Sequence, residues 1–404
     1  MNKKVGIFIS GLSKNEENVE KYAHRIKNEL NYCRDDFRYK TKAEKISYSE
    51  NLETTVVTIF KENDKKEEEV YKIYDFVYIN SLTEDFKKQN ILVKNLQLLW
   101  LVLKKLPLLL IKLFDYKNFN RPYLTFYAFF LFFIISFAII MLIPASIDLA
   151  TQFSISKELT KLLNTLHLNS VTEFLKFINL KEIVKTFLVP FTTLVILIIP
   201  DSQTLLIKIA TEFISVNKYL ENGEKSQLIL GHLDLLIEFI AEENKDSKIH
   251  LHCYSFGSLV AIDLLYPIGN IPSKNVKDRI ELLITTGNPY DFINAYYPKY
   301  FIDRNYVKSP KINWINIYSI SDALATNFRK KQTVGKAEYS LPDYNLLPEN
   351  LNYEIAPRLK HNLFNFFTMH GIRVHKKYWD TTPNGQSCMR LIVDKMMEQN
   401  FINF

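Results

Sequence analysis

The sequence predicts an α/β fold in which helices flank a mostly parallel sheet. Short apolar runs typical of buried strands, such as Val5–Ser10 and Ile249–Cys253, occur near both ends of the chain. Helical patterns follow or precede them, for example Glu16–Asn31 and Ser226–Glu243. Such alternation of strand and helix is typical of a parallel sheet covered by helices. A long apolar stretch interrupts the alternation, which predicts an inserted helical segment.

The predicted elements follow one another along the chain, and the insert divides them into two groups. The predicted strands are Val5–Ser10, Thr55–Phe60, Asp75–Ile79, Ile249–Cys253, Glu281–Thr285 and Asn313–Ser319. The predicted helices are Glu16–Asn31, Ser226–Glu243 and Phe256–Leu265, and the charged segment Lys61–Glu69 predicts a turn. Three parts result: residues 1–91 and 211–404 form the sheet domain, and residues 92–210 form the insert.

The insert contains a long uncharged run, Tyr123–Ile143. At a rise of about 1.5 Å per residue it reaches about 30 Å, the thickness of a bilayer core. A helix that is apolar all round lies either in a membrane or deep in a protein core. Because this run is long enough to span, the sequence favours a transmembrane helix.

A second apolar run, Thr186–Pro200, ends shortly before the second part of the sheet domain begins at residue 211. It is shorter than a usual span, so by itself it also fits a re-entrant segment or a core helix. Since the two parts of the sheet must meet, we expect an even number of crossings. The run, extended through Leu205 (residues 186–205), therefore completes a predicted membrane hairpin with residues 123–143.

Flanking charge predicts the orientation of the hairpin. Five basic residues and one acidic residue lie between Lys104 and Arg121. The positive-inside rule places this side, and with it the sheet domain, in the cytoplasm. The segment Leu98–Phe114 is apolar but carries Lys104, Lys105 and Lys112, which favours an amphipathic surface helix; the alternative is a solvent-facing helix that is partly in the core.

The candidate nucleophile is Ser255, between the strand Ile249–Cys253 and the helix pattern Phe256–Leu265. A serine at a sharp turn from strand to helix is the layout of a nucleophile elbow, which raises one hydroxyl above a parallel sheet. The turn requires small residues two positions before and after the serine. Gly257 satisfies this, whereas Cys253 stands where glycine is usual. The alternative is an ordinary serine-containing turn after a buried strand.

An acid and a histidine follow Ser255 along the chain. Enzymes with a nucleophile elbow have their catalytic triad in this order: serine, acid, histidine. Asp322 ends the β-rich run Trp314–Asp322, and His375 lies near the C-terminus. Asp322 is otherwise a turn residue or the N-cap of a helix over 323–328. Asp291 is the second candidate for the acid. His370 and His361 are rivals of His375.

Together these segments resemble bacterial lipase-like serine hydrolases of the α/β-hydrolase superfamily. Val5–Leu12 resembles the first core strand with its oxyanion loop, and Leu283–Phe292 resembles the strand and turn after the nucleophile helix. Trp314–Asp322 resembles the acid-bearing strand, and His375–Trp379 the loop with the histidine. The chain departs from the family at Cys253 and where the first strand ends in Ser-Gly rather than His-Gly.

The resemblance implies a serine-esterase mechanism without a cofactor. Ser255 is the nucleophile, His375 the general base and Asp322 the residue that orients the imidazole. The backbone N–H of Phe256 and one near Leu12 would bind the oxyanion. A lipid ester is the expected substrate, because the site is tethered beside a bilayer.

Composition agrees with a folded protein that contacts membranes. The chain has 404 residues, is 47% hydrophobic and has a formal charge of +7, which suits an anionic lipid surface. Its basic residues are scattered and no nucleic-acid motif is present, so no nucleic-acid partner is expected. The three cysteines have neither metal-ligand nor disulfide spacing, so no metal is expected.

Other functions remain open from the sequence alone. A thioesterase or small-ester hydrolase would use the hairpin only as an anchor. A catalytically idle hydrolase fold would serve as a membrane interaction module. In a membrane-disrupting effector the hairpin would assemble and the hydrolase domain would regulate it. A reactive Ser255 separates the enzymes from the other two classes.

Overall fold

The computed structural model describes residues 4–12, 17–33, 37–63, 66–88, 91–114, 202–306, 311–342, 346–354, 370–380 and 387–402. Eight strands occur in these residues: β1 (Lys4–Ile9), β2 (Arg38–Ser49), β3 (Leu52–Asn63), β4 (Lys66–Phe76), β5 (Lys248–Tyr254), β6 (Ile280–Thr286), β7 (Asn313–Tyr318) and β8 (Glu349–Asn352).

The same described residues contain ten helices. They are α1 (Val19–Cys33), α2 (Ile79–Lys88), α3 (Ile91–Phe114), α4 (Ser202–Asn222), α5 (Glu224–Glu243), α6 (Gly257–Leu265), α7 (Lys274–Arg279), α8 (Tyr290–Tyr296), α9 (His370–His375) and α10 (Cys388–Glu398). Between α5 and α8 the strands β5 and β6 are each preceded and followed by a helix, and two helices, α6 and α7, separate them.

All eight strands form one sheet in the order β2-β3-β4-β1-β5-β6-β7-β8. From β4 through β1 to β8 every pairing is parallel, whereas β2, β3 and β4 form an antiparallel meander. The prediction of an α/β fold with a mostly parallel sheet is therefore confirmed.

The centre of the sheet is made by β1 and β5, which pair directly although the predicted insert separates them in sequence. Both strands are almost entirely buried because helices cover both faces of the sheet at this point. In their register Ile9 lies opposite Cys253. The residues after each strand therefore leave the sheet side by side at its carboxyl edge.

A network of hydrogen-bonded, buried polar side chains includes His250 and His252 of β5. The Nε2 atom of His250 is 2.9 Å from Glu281, and the Tyr71 hydroxyl lies 3.1 Å from His250 Nδ1 and 2.7 Å from His252 Nε2. The Tyr22 hydroxyl is 2.9 Å from His252 Nδ1. Burial lowers the pKa of both histidines. With neutral rings, Tyr22 donates to His252, His252 to Tyr71, Tyr71 to His250 and His250 to Glu281, so each buried group has a partner.

The chain divides into two compact units. The described part of the first covers residues up to Leu82 and from Tyr219 onward, and it contains the whole sheet. The second includes Thr83–Phe114 and the part of α4 up to Lys218. The residues that the sequence singles out for chemistry all belong to the first unit.

The predicted hairpin falls mainly outside the described residues. This holds for all of residues 123–143 and for 186–200; only the extension through Leu205 enters the first turn of α4. Within the described ranges, no helix combines the length and apolar character that a membrane span requires. The hairpin therefore stays a prediction.

The meander β2–β4 differs from the sequence prediction. Strand β2 was not expected, and within the charged segment predicted as a turn, residues 61–63 end β3 and residues 66–69 begin β4. Strand β2 lies at the edge of the sheet and exposes most of its lysines and glutamate. Charged edge strands are common because they discourage pairing with other chains, and their charge hides the strand pattern in the sequence.

Candidate active site

Ser255 occupies a strained turn between β5 and α6. Its φ is 52°, a left-handed backbone conformation that residues other than glycine seldom adopt. The Ser255 N–H donates to the carbonyl of Thr286 on β6 at 2.8 Å. A Cβ on Gly257 would lie 2.2 Å from the carbonyl oxygen of Ile9, so only glycine lets the helix start approach β1 this closely. The half-buried Ser255 thus sits at the carboxyl edge of the central strands.

The structure brings the three predicted triad residues together. The Oγ atom of Ser255 is 2.7 Å from Nε2 of His375, and Nδ1 of His375 is 2.8 Å from Oδ2 of Asp322. These distances are those of hydrogen bonds. Since a carboxylate only accepts, the arrangement assigns the ring proton to Nδ1 and leaves Nε2 to accept from the serine hydroxyl.

Asp322 is held by further donors. It is 1% exposed, and it lies in the turn that follows β7. The Tyr378 hydroxyl donates to Oδ2 at 2.8 Å, and the backbone N–H of Leu324 donates to Oδ1 at 2.8 Å. The Tyr378 oxygen in turn accepts from the N–H of Ser319 at 3.0 Å. These bonds fix the carboxylate relative to His375.

The imidazole of His375, at the end of α9, is held on two sides. The ring of Tyr254 stacks on it with centroids 5.6 Å apart and 18° between the planes. The Tyr254 hydroxyl donates to the His375 carbonyl at 2.7 Å. Gly287, with a φ of 64°, lies so close that an added Cβ would be 3.0 Å from Cε1 of the imidazole. The residue before the serine and the turn after β6 therefore position the base.

The two predicted oxyanion donors lie at the same edge of the sheet. Phe256 follows Ser255 directly and precedes the first residue of α6, and its ring packs on Tyr78 and Tyr219. Within the described part of the chain its backbone N–H donates to no other group. Leu12 follows Gly11, whose added Cβ would lie 3.0 Å from Cβ of Ser255. The loop after β1 therefore passes beside the serine, as an oxyanion loop requires.

The rival residues have other places. The carboxylate of Asp291, in the first turn of α8, accepts from the Tyr339 hydroxyl at 2.8 and 2.9 Å. His370 begins α9, five residues before His375. His361 lies outside the described residues. The serine and the buried acid both contact His375, which therefore matches the geometry of a base.

Sequence reasoning missed the supporting tyrosines. Tyr254 directly precedes Ser255, and Tyr378 follows His375 by three residues. Only the fold brings their hydroxyls to the site. Their proximity in sequence to two of the triad residues is the signal that was available.

Among the described residues there is no group of three or more His, Cys, Asp or Glu side chains suited to a metal ion.

Comparisons with protein-family models, with curated proteins and with solved structures found no match for the chain.

Proposed function

We propose that this protein is a serine hydrolase with an α/β-hydrolase fold that cleaves carboxylic esters through an acyl-enzyme. The hydrogen-bonded series Ser255 Oγ, His375 Nε2 and Nδ1, and Asp322 Oδ2 carries the proposal. Its position supports it too, because ligands of parallel α/β sheets bind at the carboxyl ends of the strands. A serine at positive φ between strand and helix adds a feature that an ordinary turn does not need.

The geometry suits a two-step displacement. Ser255 Oγ attacks the ester carbonyl while its proton moves to Nε2 of His375, and the carbonyl oxygen becomes an oxyanion. Collapse of this intermediate breaks the bond to the alkoxy group, which leaves as an alcohol with the proton from His375. Water then attacks the acyl-serine, gives its proton to His375, and releases the acid as the serine recovers its proton.

The Asp322 carboxylate and two backbone N–H groups have further roles in this scheme. Asp322 keeps the imidazole in the required tautomer and stabilises the imidazolium. The N–H groups of Phe256 and of the loop at Leu12 stabilise the oxyanion. Loss of one such donor costs about a hundredfold to a thousandfold in turnover.

Lipid acyl esters are the substrate class in this proposal, and the hydrolase domain faces the cytoplasm from a membrane anchor. The support comes from the uncharged run Tyr123–Ile143 and from the basic residues that precede it. A membrane-anchored site meets esters of the bilayer at high local concentration. We expect long-chain lipid esters to be cleaved faster than short water-soluble esters or acyl thioesters.

Fluorophosphonate labelling tests the nucleophile. Wild type should be labelled, because the elbow and His375 activate the hydroxyl, and Ser255→Ala should lose both labelling and ester cleavage. Ser258→Ala is the matched control: this serine lies one helical turn further on and is fully buried, so its loss should leave labelling intact. Equal labelling of Ser255→Ala and wild type would falsify the assignment, and an unreactive wild type would favour the idle module.

The same assay separates the base and acid from their rivals. His375→Ala should lower turnover nearly as much as Ser255→Ala, since triad members act as a unit. Asp322→Asn should cost about ten-thousandfold, because the imidazole loses its tautomer. Asp291→Asn should retain activity, as its carboxylate faces Tyr339. Activity that survives Asp322→Asn but not Asp291→Asn would reverse the assignment of the acid.

A further inference from the structure

Tyr78 lies where two neighbouring strands of the sheet end side by side. It follows β4, which ends at Phe76, and in the parallel register of the two strands Phe76 lies opposite Ile9 of β1. The side chain is 1% exposed, so the phenol is enclosed at the carboxyl edge of the sheet. The loop after β1, which leads through Ser10 to Leu12, begins at the same edge.

The Tyr78 hydroxyl holds the start of this loop. It donates to the carbonyl oxygen of Ser10 at 2.9 Å, and the bond is buried. Burial raises the pKa of Tyr78 well above its ordinary value, so the phenol keeps its proton and donates. Because a peptide unit is planar, holding the Ser10 carbonyl also sets the direction of the Gly11 N–H and the path of the chain into Leu12.

The same side chain contacts the other predicted oxyanion donor. The Tyr78 ring packs on the Phe256 ring, with centroids 6.3 Å apart and 35° between the planes. The Ser10 carbonyl also borders the start of α6, because a Cβ added to Gly257 would lie 2.7 Å from its oxygen. One buried tyrosine therefore bonds the loop that leads to Leu12 and packs on Phe256.

Oxyanion stabilisation depends on how accurately such donors are placed. A donor acts when it lies about 2.7–3.1 Å from the position that the oxyanion will take. A site that is loosened by about 1 Å loses much of its effect. Without the Tyr78 hydroxyl, the buried Ser10 carbonyl loses a donor, which favours a rotation of this peptide toward another partner.

We propose that Tyr78 is a positioning residue of the oxyanion site, which holds the loop donor at Leu12 in place beside the N–H of Phe256. The inference rests on the proposed function, because an oxyanion forms only if Ser255 attacks a carbonyl. Tyr78 acts through the Ser10 carbonyl and the Phe256 ring, and it does not contact the reacting atoms.

Kinetics of Tyr78→Phe test this role, because the change removes the hydroxyl and keeps the ring on Phe256. We expect kcat for a soluble ester to fall about tenfold, less than the hundredfold to thousandfold for a lost donor, since the donors are displaced and not removed. KM should change little, because the interaction develops only in the transition state. Complete fluorophosphonate labelling counts the reactive sites, so kcat is expressed per labelled Ser255.

A trifluoromethyl ketone gives a readout that a loss of stability alone would not change. Ser255 Oγ adds to its carbonyl carbon, the serine proton moves to Nε2 of His375, and the carbonyl oxygen becomes the oxyanion of a hemiketal. Titration followed by ¹⁹F NMR gives the pKa of the hemiketal hydroxyl. A displaced donor stabilises the anion less, so Tyr78→Phe should raise this pKa by about 1, which corresponds to the tenfold loss.

Thr54→Val is the matched control. The buried Thr54 hydroxyl donates to the carbonyl oxygen of Asp75 at 2.7 Å, near the end of β4, and valine keeps the shape of the side chain. Its kcat and hemiketal pKa should match wild type. Replacing the Tyr78 side chain by that of p-aminophenylalanine restores an N–H donor at the same place, and should return both values most of the way to wild type.

The outcomes separate this inference from the proposed function. An unchanged hemiketal pKa in Tyr78→Phe, an equal rise in Thr54→Val, or no recovery with p-aminophenylalanine overturns the role of Tyr78 and leaves Ser255 as the nucleophile. If Tyr78→Phe abolishes cooperative unfolding, the role of the tyrosine is structural and the inference is overturned as well. A wild-type protein that forms neither the hemiketal nor the fluorophosphonate adduct overturns the proposed function, and the inference falls with it.

Discussion

Asp322 shows at the scale of single residues why the candidate site is stable in this geometry. Removing a carboxylate from water is costly unless hydrogen bonds replace its hydration. Asp322 is nearly inaccessible, and it receives three donors, from His375, Tyr378 and the backbone of Leu324. His375 and Tyr378 share Oδ2, so the tyrosine acts on the same oxygen that orients the imidazole.

Tyr378→Phe should lower kcat for ester cleavage with little change in KM. Burial, followed by the neighbouring Asp322, raises the pKa of Tyr378 well above its ordinary value, so the phenol keeps its proton and donates. A hydrogen bond to a charged group contributes about 1.5–3 kcal/mol. If part of this is lost from the orientation of Asp322, we expect kcat to fall about tenfold. Steady-state kinetics on a soluble ester measures the effect.

Tyr339→Phe is the matched control for this prediction. Tyr339 donates to Asp291 as Tyr378 donates to Asp322, and both changes remove one hydroxyl and keep the ring. We expect kcat of Tyr339→Phe to match wild type. Similar losses in both variants, or a rise in KM alone for Tyr378→Phe, would contradict a positioning role for Tyr378.

At the scale of elements, the sequence predicts best the strands that are buried on both faces. β1, β5, β6 and β7 lie within one residue of their predicted bounds, because continuous apolar runs leave little choice of structure. Strand β2 was missed because charge dominates its pattern. The predicted strand Asp75–Ile79 covers only the end of β4, and Ile79 already begins α2.

The site was predictable where it depends on local sequence and chain order. Ser255 stands in a strand–turn–helix pattern, and Asp322 and His375 follow it in the required order. The alternative of a helix over 323–328 is not seen; bends and irregular backbone occupy these residues. Tyr254 and Tyr378 were not predictable as partners, because their contacts to His375 and Asp322 depend on how distant loops pack.

Gly257→Ala should disrupt the elbow. The added Cβ would meet the backbone of Ile9 and Ser10 at 2.2 and 2.7 Å, so α6 must move away from β1. Because backbone atoms cannot yield as a side chain can, we expect a loss of about 3 kcal/mol or more, comparable to the upper range of overpacked cores. Labelling of Ser255 should fall with it, and denaturant unfolding measures the stability.

Gly231→Ala provides the opposite expectation on α5. Nothing lies within 4 Å of its added Cβ, so the change should stabilise the protein by about 1 kcal/mol through helix propensity. Labelling of Ser255 should not change. Equal stability of the two alanine variants would show that the approach of α6 to β1 is less tight than described.

At the scale of the whole molecule, the pairing of β1 with β5 constrains any membrane crossing. The two strands are hydrogen-bonded neighbours over six residue pairs, from Lys4 opposite Lys248 to Ile9 opposite Cys253. They therefore lie on the same side of any bilayer. If Tyr123–Ile143 crosses, the chain must cross back before β5, and Thr186–Pro200 is the apolar run available for it.

Cysteine accessibility tests this topology on the full chain. Cys253 and Cys388 are buried, so Cys33→Ser gives a background with little reactive thiol. With a membrane-impermeant maleimide, cysteines placed at Ser156 and Asn169 should react in intact cells. Cysteines placed at the exposed Asn51 and Lys331 should react only after permeabilisation, because the positive-inside rule predicts that the sheet domain faces the cytoplasm. Extraction by alkaline carbonate reports independently on whether the protein is integrated in the membrane.

If all four positions require permeabilisation and carbonate releases the protein, the apolar runs do not cross. The lipid-ester substrate would then lose its main support, whereas the assignment of Ser255 would stand, since it rests on the contacts among Ser255, His375 and Asp322 and not on the membrane.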